Sequence, residues 1–475
     1  MGWDRAIAYI ARRLSTILSR HGPGSVALHV GGGLLTEDYY VANKFLKGFC
    51  GSAHIHAPWR GTTAAVQQAA FGEDVMPAAI EDIDRADLIL LTAEDVPVTH
   101  PVLLDRVAAA RERGTRLVVI DPDGTAAGLA ADLYLPVTAG TGALLFAALL
   151  TRCRDVGALD MDFLARAVAV PPGFLEALGP GHDVWSVARI CGLSPAKIRA
   201  FHDLWLSSTG AVTIFGEGDV ALVTEILNLH LATGRVGQPG STPFALPGAA
   251  NAMGAREVGC IAMDLAAHTG FQAGAQARVA RFWGARMLAE GPGLEGDALL
   301  EALRAGQVKA LWSIGTDAAA MPWLAQARAL VDLSIRSTDR LDEQGDGWSL
   351  LLPSAAWLEK DGTLTGLDRL ICRHRRLLPL AGEARPDWWI VNRVAQAMGW
   401  GDAFPFQRAA DIFREHVRLT AYGHEGAGLL DLRRHAPISN PAYDELTPWR
   451  WGGRPFADGR FPTSDGRARL LPVMG

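Results

Sequence analysis

Two histidines two residues apart, His54 and His56, would face the same side of an extended strand, a spacing at which paired imidazoles can share a divalent metal. No third ligand stands near them in sequence, and the simpler reading is a pair of polar residues in a loop. The basic run Arg373-His-Arg-Arg376 has the chemistry to hold a phosphate, the alternative being a solvated face beside a strand end. Five cysteines, Cys50, Cys153, Cys191, Cys260 and Cys372, lie far apart. Disulfide frameworks, zinc sites and iron–sulfur clusters need closer spacing, so each is read as a small buried apolar residue. Gly31-Gly-Gly33 follows an apolar strand and precedes a helix with Glu37 and Asp38 in its first turn. Such a turn can place an anion at a helix N-terminus, although three consecutive glycines without the full dinucleotide spacing fit a tight turn equally. Asp121 closes another apolar strand and is followed by Pro122, the position at which a parallel sheet presents its carboxyl edge to a ligand crevice. No nucleophile elbow, metalloprotease helix or nucleotidase-type phosphate loop is present.

The elements that must carry these residues alternate between strand and helix. Apolar runs predict strands near 26–30, 88–92, 117–121, 212–216, 310–314 and 331–335, with a further short one at 349–352. Helices separate them, beginning with one over the first ~20 residues whose Ile7, Ile10, Leu14 and Leu18 repeat at helical spacing. This alternation defines an α/β class with parallel sheets. A long glycine-rich connection interrupts it. After an apolar helix from Val223 to Ala232, glycine and proline recur too often from Gly234 to Gly259 for a helix or strand to continue. Phe244, Leu246 and Met253 make it a buried or ligand-lining loop, because a solvent linker would be polar. The chain therefore reads as two mainly parallel, helix-covered sheets, one inserted into the other. The expected division is 1–59 with 276–400 as the first domain, 60–275 as the insert, and 401–475 as a helical and loop tail.

Composition narrows the function classes. At 475 residues and 49% hydrophobic content the chain can bury large cores. A net charge of −6 offers no basic field for a nucleic-acid backbone. The N-terminal helix is charged in its first turn, unlike a secretory signal, and the most apolar run, Gly142 to Leu150, falls short of the ~20 residues of a membrane span. The expectation is a soluble, cytoplasmic protein.

Several stretches go further. Leu34–Lys44, Leu229–Arg235, Ala250–Gly259, Glu359–Thr363, Gly382–Trp389 and Asp458–Thr463 occur in order along nearly the whole chain. Together they resemble the molybdopterin-guanine-dinucleotide oxidoreductases, the family of dimethyl sulfoxide reductase and formate dehydrogenase, and within it the catalytic subunit of assimilatory nitrate reductase. The resemblance implies that, if a pterin cofactor is retained, Gly216, Gly218, Asn251, Gly254, Arg256, Gly315, Thr316 and Asp121 would line it, with Asn251 bonding its polar edges.

The departures from the pattern carry as much information. The family's N-terminal four-cysteine segment, which holds a [4Fe-4S] cluster, has no counterpart before Trp3, and the sequence stops where its C-terminal barrel would begin. The family's molybdenum-ligating cysteine corresponds to Thr62, or to Trp59 if the segment is aligned from Phe71-Gly72, and neither offers a thiolate. Other turns that face the cofactor in the family differ too: Glu94-Asp-Val96, Gly140-Thr-Gly142 and Thr316-Asp-Ala318, two of which place a carboxylate where phosphates or polar edges are expected. The segment after Gly218 is shortened. These differences imply a family member without metal or pterin, catalytically silent alone and serving as a partner in a redox complex or a homo-oligomer. The alternative is a split enzyme that binds molybdopterin guanine dinucleotide and is completed by separate cluster and barrel polypeptides. The tail from Trp449 to Leu471, rich in arginine and aromatic residues, is expected to contact a partner together with Arg60, Asp95 and Asp317.

Overall fold

The computed structural model describes every residue except 58, 60, 94–95, 123–130, 180, 316–319, 341–346, 424–427 and 473–475, together with the side chains of residues 62 and 97. By contact the chain forms two compact units, one of residues 1–59 and 248–451, the other of residues 60–247 and 452–475. The insertion thus ends at 247 rather than at 275, and the expected tail is divided between the units rather than standing apart.

The first unit opens with β1 (Val26–Val30) and β2 (Ile55–His56). The second then supplies β3 (Leu88–Thr92), β4 (Arg116–Ile120), β5 (Leu133–Leu135), β6 (Val168–Ala169), β7 (Ala211–Phe215) and β8 (Thr242–Ala245). The first unit resumes with β9 (Ala310–Ile314), β10 (Leu333–Thr338), β11 (Leu350–Pro353), β12 (Gly362–Thr365), β13 (Leu370–His374) and β14 (Trp449–Arg450), and β15 (Ala468–Arg469) returns to the second.

Each unit is built on a five-stranded sheet, ordered β11-β10-β9-β1-β2 in the first and β5-β4-β3-β7-β8 in the second. All pairings within both are parallel. The near-continuous apolar strands follow from burial on both faces. Val26, Leu28 and Val30 of β1, with Ala310, Trp312 and Ile314 of β9, join the core that packs Ile7, Ile10, Leu14 and Ile17 of the N-terminal helix Trp3–His21. The intervening Ala27 and Leu311 point the other way, onto Leu299, Leu303 and Leu324. The first unit also holds a small antiparallel sheet, β12-β13-β14, that the apolar pattern did not announce.

One expectation is corrected. The glycine-rich connection does contain a strand: β8 pairs with β7 through Thr242 to Ala245 despite Pro243. It lies at the sheet edge, where a missing N–H is tolerated. The C-terminal segment expected at a partner also packs on its own chain, burying Trp451, Phe456 and Phe461. Within the second unit Phe456 and Phe461 stack at 4.5 Å and both pack on Phe71, at 4.9 and 5.9 Å. This segment passes so closely that a Cβ on Gly72 would lie 2.5 Å from the Pro462 carbonyl, and one on Gly237 2.7 Å from that of Pro455. β15 pairs with β6, the Asn228 side chain exchanges two hydrogen bonds with the Leu471 backbone, and Arg454 pairs with buried Asp82 at 3.1 Å. Trp451 is fully buried in the first unit, where its indole N–H donates to Glu257. Aromatic and arginine-rich composition serves an intramolecular interface as well as an intermolecular one, and here it closes the chain's own cores.

Candidate functional site

In an open parallel sheet, ligands settle at the carboxyl edge where the strand order reverses. In the first unit this point lies between β1 and β9, whose following turns are Gly31-Gly-Gly33 and Gly315. Gly315 has φ 63° and donates to the Ser337 carbonyl, and a Cβ there would lie 3.2 Å from the Leu34 side chain. Its neighbour Thr316 lies outside the described residues, as does Asp317.

The helix Thr36–Asn43 that follows the glycine turn has its N-terminus occupied by its own carboxylates. Asp38 accepts from the Leu35 N–H at 3.0 Å and from the Trp388 N–H at 2.9 Å. Glu37 turns onto β12, accepting from the backbone and hydroxyl of Thr363 and from the Tyr443 hydroxyl, at 2.8, 2.9 and 2.7 Å. The turn itself is held by Lys360, whose ammonium donates to the Gly33 carbonyl at 2.9 Å and to Asp387 at 3.1 Å. Burial opposes that charge, but Asp387 and Asp38 outweigh it and raise the Lys360 pKa above the usual lysine value. The tight-turn reading therefore accounts for the three glycines.

Asn251, expected at a ligand, is wholly buried. Its amide nitrogen donates to the Leu34 carbonyl and the Thr36 hydroxyl at 3.1 and 3.3 Å, and its oxygen accepts from the Thr365 N–H at 2.8 Å. Gly254 is required for this arrangement, since a Cβ there would sit 2.2 Å from the Asn251 oxygen. Arg256 is buried on the same short helix, Ala252–Glu257, with its guanidinium 3.8 Å from the Met253 sulfur. Glu257 closes the network, accepting from the Thr365 hydroxyl and the Trp451 indole, each at 2.6 Å. The structure thus brings Asn251, Gly254 and Arg256 together as a clamp on β12 inside the first unit.

In the second unit the reversal lies between β3 and β7. Gly216 stands across it from Ala93, with a built Cβ 3.8 Å from that of the alanine, while Gly218 has φ 117° and open space about it. Asp121 is buried at the end of β4, its N–H bonded to the Leu135 carbonyl. Gly216, Gly218 and Asp121 therefore share one carboxyl edge. The helix beyond, Val220–Ala232, is capped by Asp219, which accepts from the Leu222 N–H at 3.0 Å. A helix N-terminus that would attract a phosphate thus already holds a carboxylate, with Glu217 two residues before it. Glu94 and Asp95 are outside the described residues.

A pterin dinucleotide carrying molybdenum would need phosphate donors and a soft metal ligand. Thr62 opens the helix Thr62–Phe71, with its side chain outside the described residues. Trp59 is buried edge-on to Tyr39 at 5.8 Å and has no lone pair to give. Burial raises the Cys50 thiol far above its usual value and pushes Cys260 up to about 12, so neither is a thiolate. His54 and His56 are also committed, facing the backbone N–H groups of Leu294 and Gly296 at 3.0 and 3.3 Å, with His56 stacked on Trp323. Among the described residues no group of three His, Cys, Asp or Glu side chains is placed to hold a metal.

Sequence reading missed the buried titratable interior of the first unit: Glu37 and Asp38 were seen as an acidic first turn, and Lys360 and Asp387 only as parts of matching stretches. The signal available was charge within otherwise apolar segments. Burial raises Glu37 and Glu257 from 4.5 to about 7 each. A carboxyl whose pKa is higher folded than unfolded contributes stability that is fully present below about 4.5 and lost as pH rises through about 7. Glu37→Gln keeps an acceptor for the Thr363 N–H and a donor for the two hydroxyls. The variant is expected to match wild type at pH 5 and to exceed its unfolding free energy by ~2–3 kcal/mol at pH 8. Urea denaturation at the two pH values checks this, and a variant less stable than wild type at pH 8 contradicts it.

Comparison with known proteins places this architecture. The family model described as Molybdopterin oxidoreductase matches residues 1–397. The chain is 38% identical to a nitrate reductase of Klebsiella oxytoca over 496 residues, covering 99% of this chain and 56% of that protein. It is 35% identical to a nitrate reductase of Shewanella frigidimarina over 503 residues, covering 99% of this chain and 53% of that one. It spans little more than half the length of these two relatives. Among solved structures, the acetylene hydratase of Pelobacter acetylenicus shares the fold at a TM-score of 0.75 and 17% identity, covering 99% of this chain and 67% of that one. Two parallel α/β units, the match over most of the chain and the identity to the nitrate reductases lead to one assignment: the chain belongs to the molybdopterin oxidoreductase family.

Proposed function

We propose that this chain is a nitrate-reductase-like subunit, catalytically silent by itself, which retains the family fold without metal or pterin and acts in the cytoplasm as a structural or assembly partner in a redox complex. The observation that carries the reading is the chemistry at the start of the helix Thr62–Phe71, where threonine, or Trp59 in the other alignment, stands at the position of the expected thiolate. The carboxylate cap at Asp219 supports it, because a diphosphate would meet negative charge there. The stretches that resemble the family, by contrast, supply Glu37, Asp38, Asn251, Glu257, Lys360 and Asp387, all committed inside the first unit. A partner role is supported by three exposed leucines held side by side. The N–H groups of Leu377 and Leu378 both donate to the Leu358 carbonyl, and the side chains reach solvent on the first unit.

Elemental and pterin analysis of the purified chain is the test. Neither molybdenum, tungsten nor pterin is expected in stoichiometric amount, and Thr62→Cys is expected to leave viologen-linked nitrate reduction undetectable. Stoichiometric metal with pterin would overturn this reading in favour of a chain that binds molybdopterin.

A further inference from the structure

A cleft of about 430 Å³ opens on the first unit between the end of β13 and the starts of the helices Asp387–Ala395 and Ala409–Leu419. Four arginines and four carboxylates line it, but they are not evenly matched. Arg373 is fixed as a wall: its guanidinium bonds Asp361 at 2.7 Å, reaches Asp444 at 3.5 Å, donates to the Gly362 and Tyr443 carbonyls, and lies 4.4 Å over the Tyr443 ring. Arg375 pairs with Glu445 at 3.5 Å and donates to the Asp444 carbonyl. Glu359 accepts from the Ala356 N–H. Every lining carboxylate therefore has a partner in the chain. Arg376 and Arg408 do not: among the described residues neither has a carboxylate at ion-pair distance or a side-chain hydrogen bond. Beside them Trp388 and Pro386 supply an apolar surface.

We infer that this cleft binds a small organic dianion, a phosphate monoester or dicarboxylate with a compact apolar body. The guanidinium forks of Arg376 and Arg408 take its oxygens, and Trp388 and Pro386 take the body. Planar guanidinium forks match such oxygens two at a time, which makes arginine better suited to the task than a point charge. The volume falls in the range of sites that enclose small ligands. The inference is independent of whether the chain is catalytically silent.

Isothermal titration of the full chain at low salt, with phenyl phosphate and inorganic phosphate as probes, tests it. Phenyl phosphate is expected to bind saturably at one site per chain and more tightly than inorganic phosphate, because only the ester reaches the apolar surface. Arg376→Gln and Arg408→Gln should each weaken it by about tenfold, and the double variant should abolish it. Both side chains are exposed and unpaired, so thermal melting should be unchanged, and Arg5→Gln serves as a control for general loss of positive charge. Absence of saturable binding, equal affinity for the two probes, wild-type affinity in the double variant, or an equal loss in the control would each overturn the assignment.

Discussion

Deleting residues 452–475 is expected to abolish the cooperative unfolding of the second unit. This segment looks dispensable in the sequence, being mostly turn residues and arginine, yet Phe456, Phe461, Ala468 and Leu470 are each less than 5% exposed. Burying one large apolar side chain contributes about 1.5–3 kcal/mol, so the two phenylalanines and the leucine together account for roughly 5–8 kcal/mol. Domain stabilities are about 5–15 kcal/mol in total. The deletion also uncovers Phe71 and strips partners from Asn228 and from Asp82, which is 0% exposed. Scanning calorimetry and limited proteolysis of the truncated chain read the result: the transition of the second unit should be lost and cleavage should spread through residues 60–247. A truncated chain that melts cooperatively within a few degrees of the full one would refute the assignment of the tail to this core.

Lys360→Met should cost about 3–5 kcal/mol, because it leaves Asp387 and Asp38 as uncompensated charges inside the first unit. The methionine occupies similar space, so the loss is electrostatic rather than a cavity effect. Among the described residues Asp387 retains the Ser354 hydroxyl at 2.5 Å, and the Gly33 carbonyl loses the Lys360 ammonium. Replacing Asp387 with Asn in the same chain removes the carboxylate that lay nearer to Lys360, at 3.1 against 3.9 Å for Asp38, and should recover more than half of the lost stability. Urea midpoints of the two variants decide the matter. A Lys360→Met chain within experimental error of wild type would mean that the buried pair is not ionised.

The buried charge also explains an asymmetry in what sequence reading found. The central strands β1, β3, β4, β7 and β9 were recovered to within one residue, since burial on both sheet faces selects unbroken apolar runs, and such runs are visible without knowing what covers them. Asn251 was recovered as important but for the wrong contact. An asparagine in a glycine-rich loop has the same signature whether its amide meets a ligand or, as here, three groups of its own unit.

The sequence by itself determined the α/β class, the parallel sheets, the interruption of one unit by another and the family, because these rest on local periodicity and on ordered stretches that can be matched one at a time. It also raised the expectation that no thiolate stands at the family's metal position, which is a matter of residue identity at Thr62 or Trp59. Only the tertiary structure decided that the last segment packs against Phe71, that β8 is an edge strand, that the acidic first turn of Thr36–Asn43 caps its own helix, and that of eight charged neighbours Arg376 and Arg408 have no side-chain partner among the described residues. Each of these depends on which groups meet across tens or hundreds of residues. A carboxylate or guanidinium has the same identity in sequence whether it is paired, capping or free, and the distances that separate those cases exist only once the chain is folded.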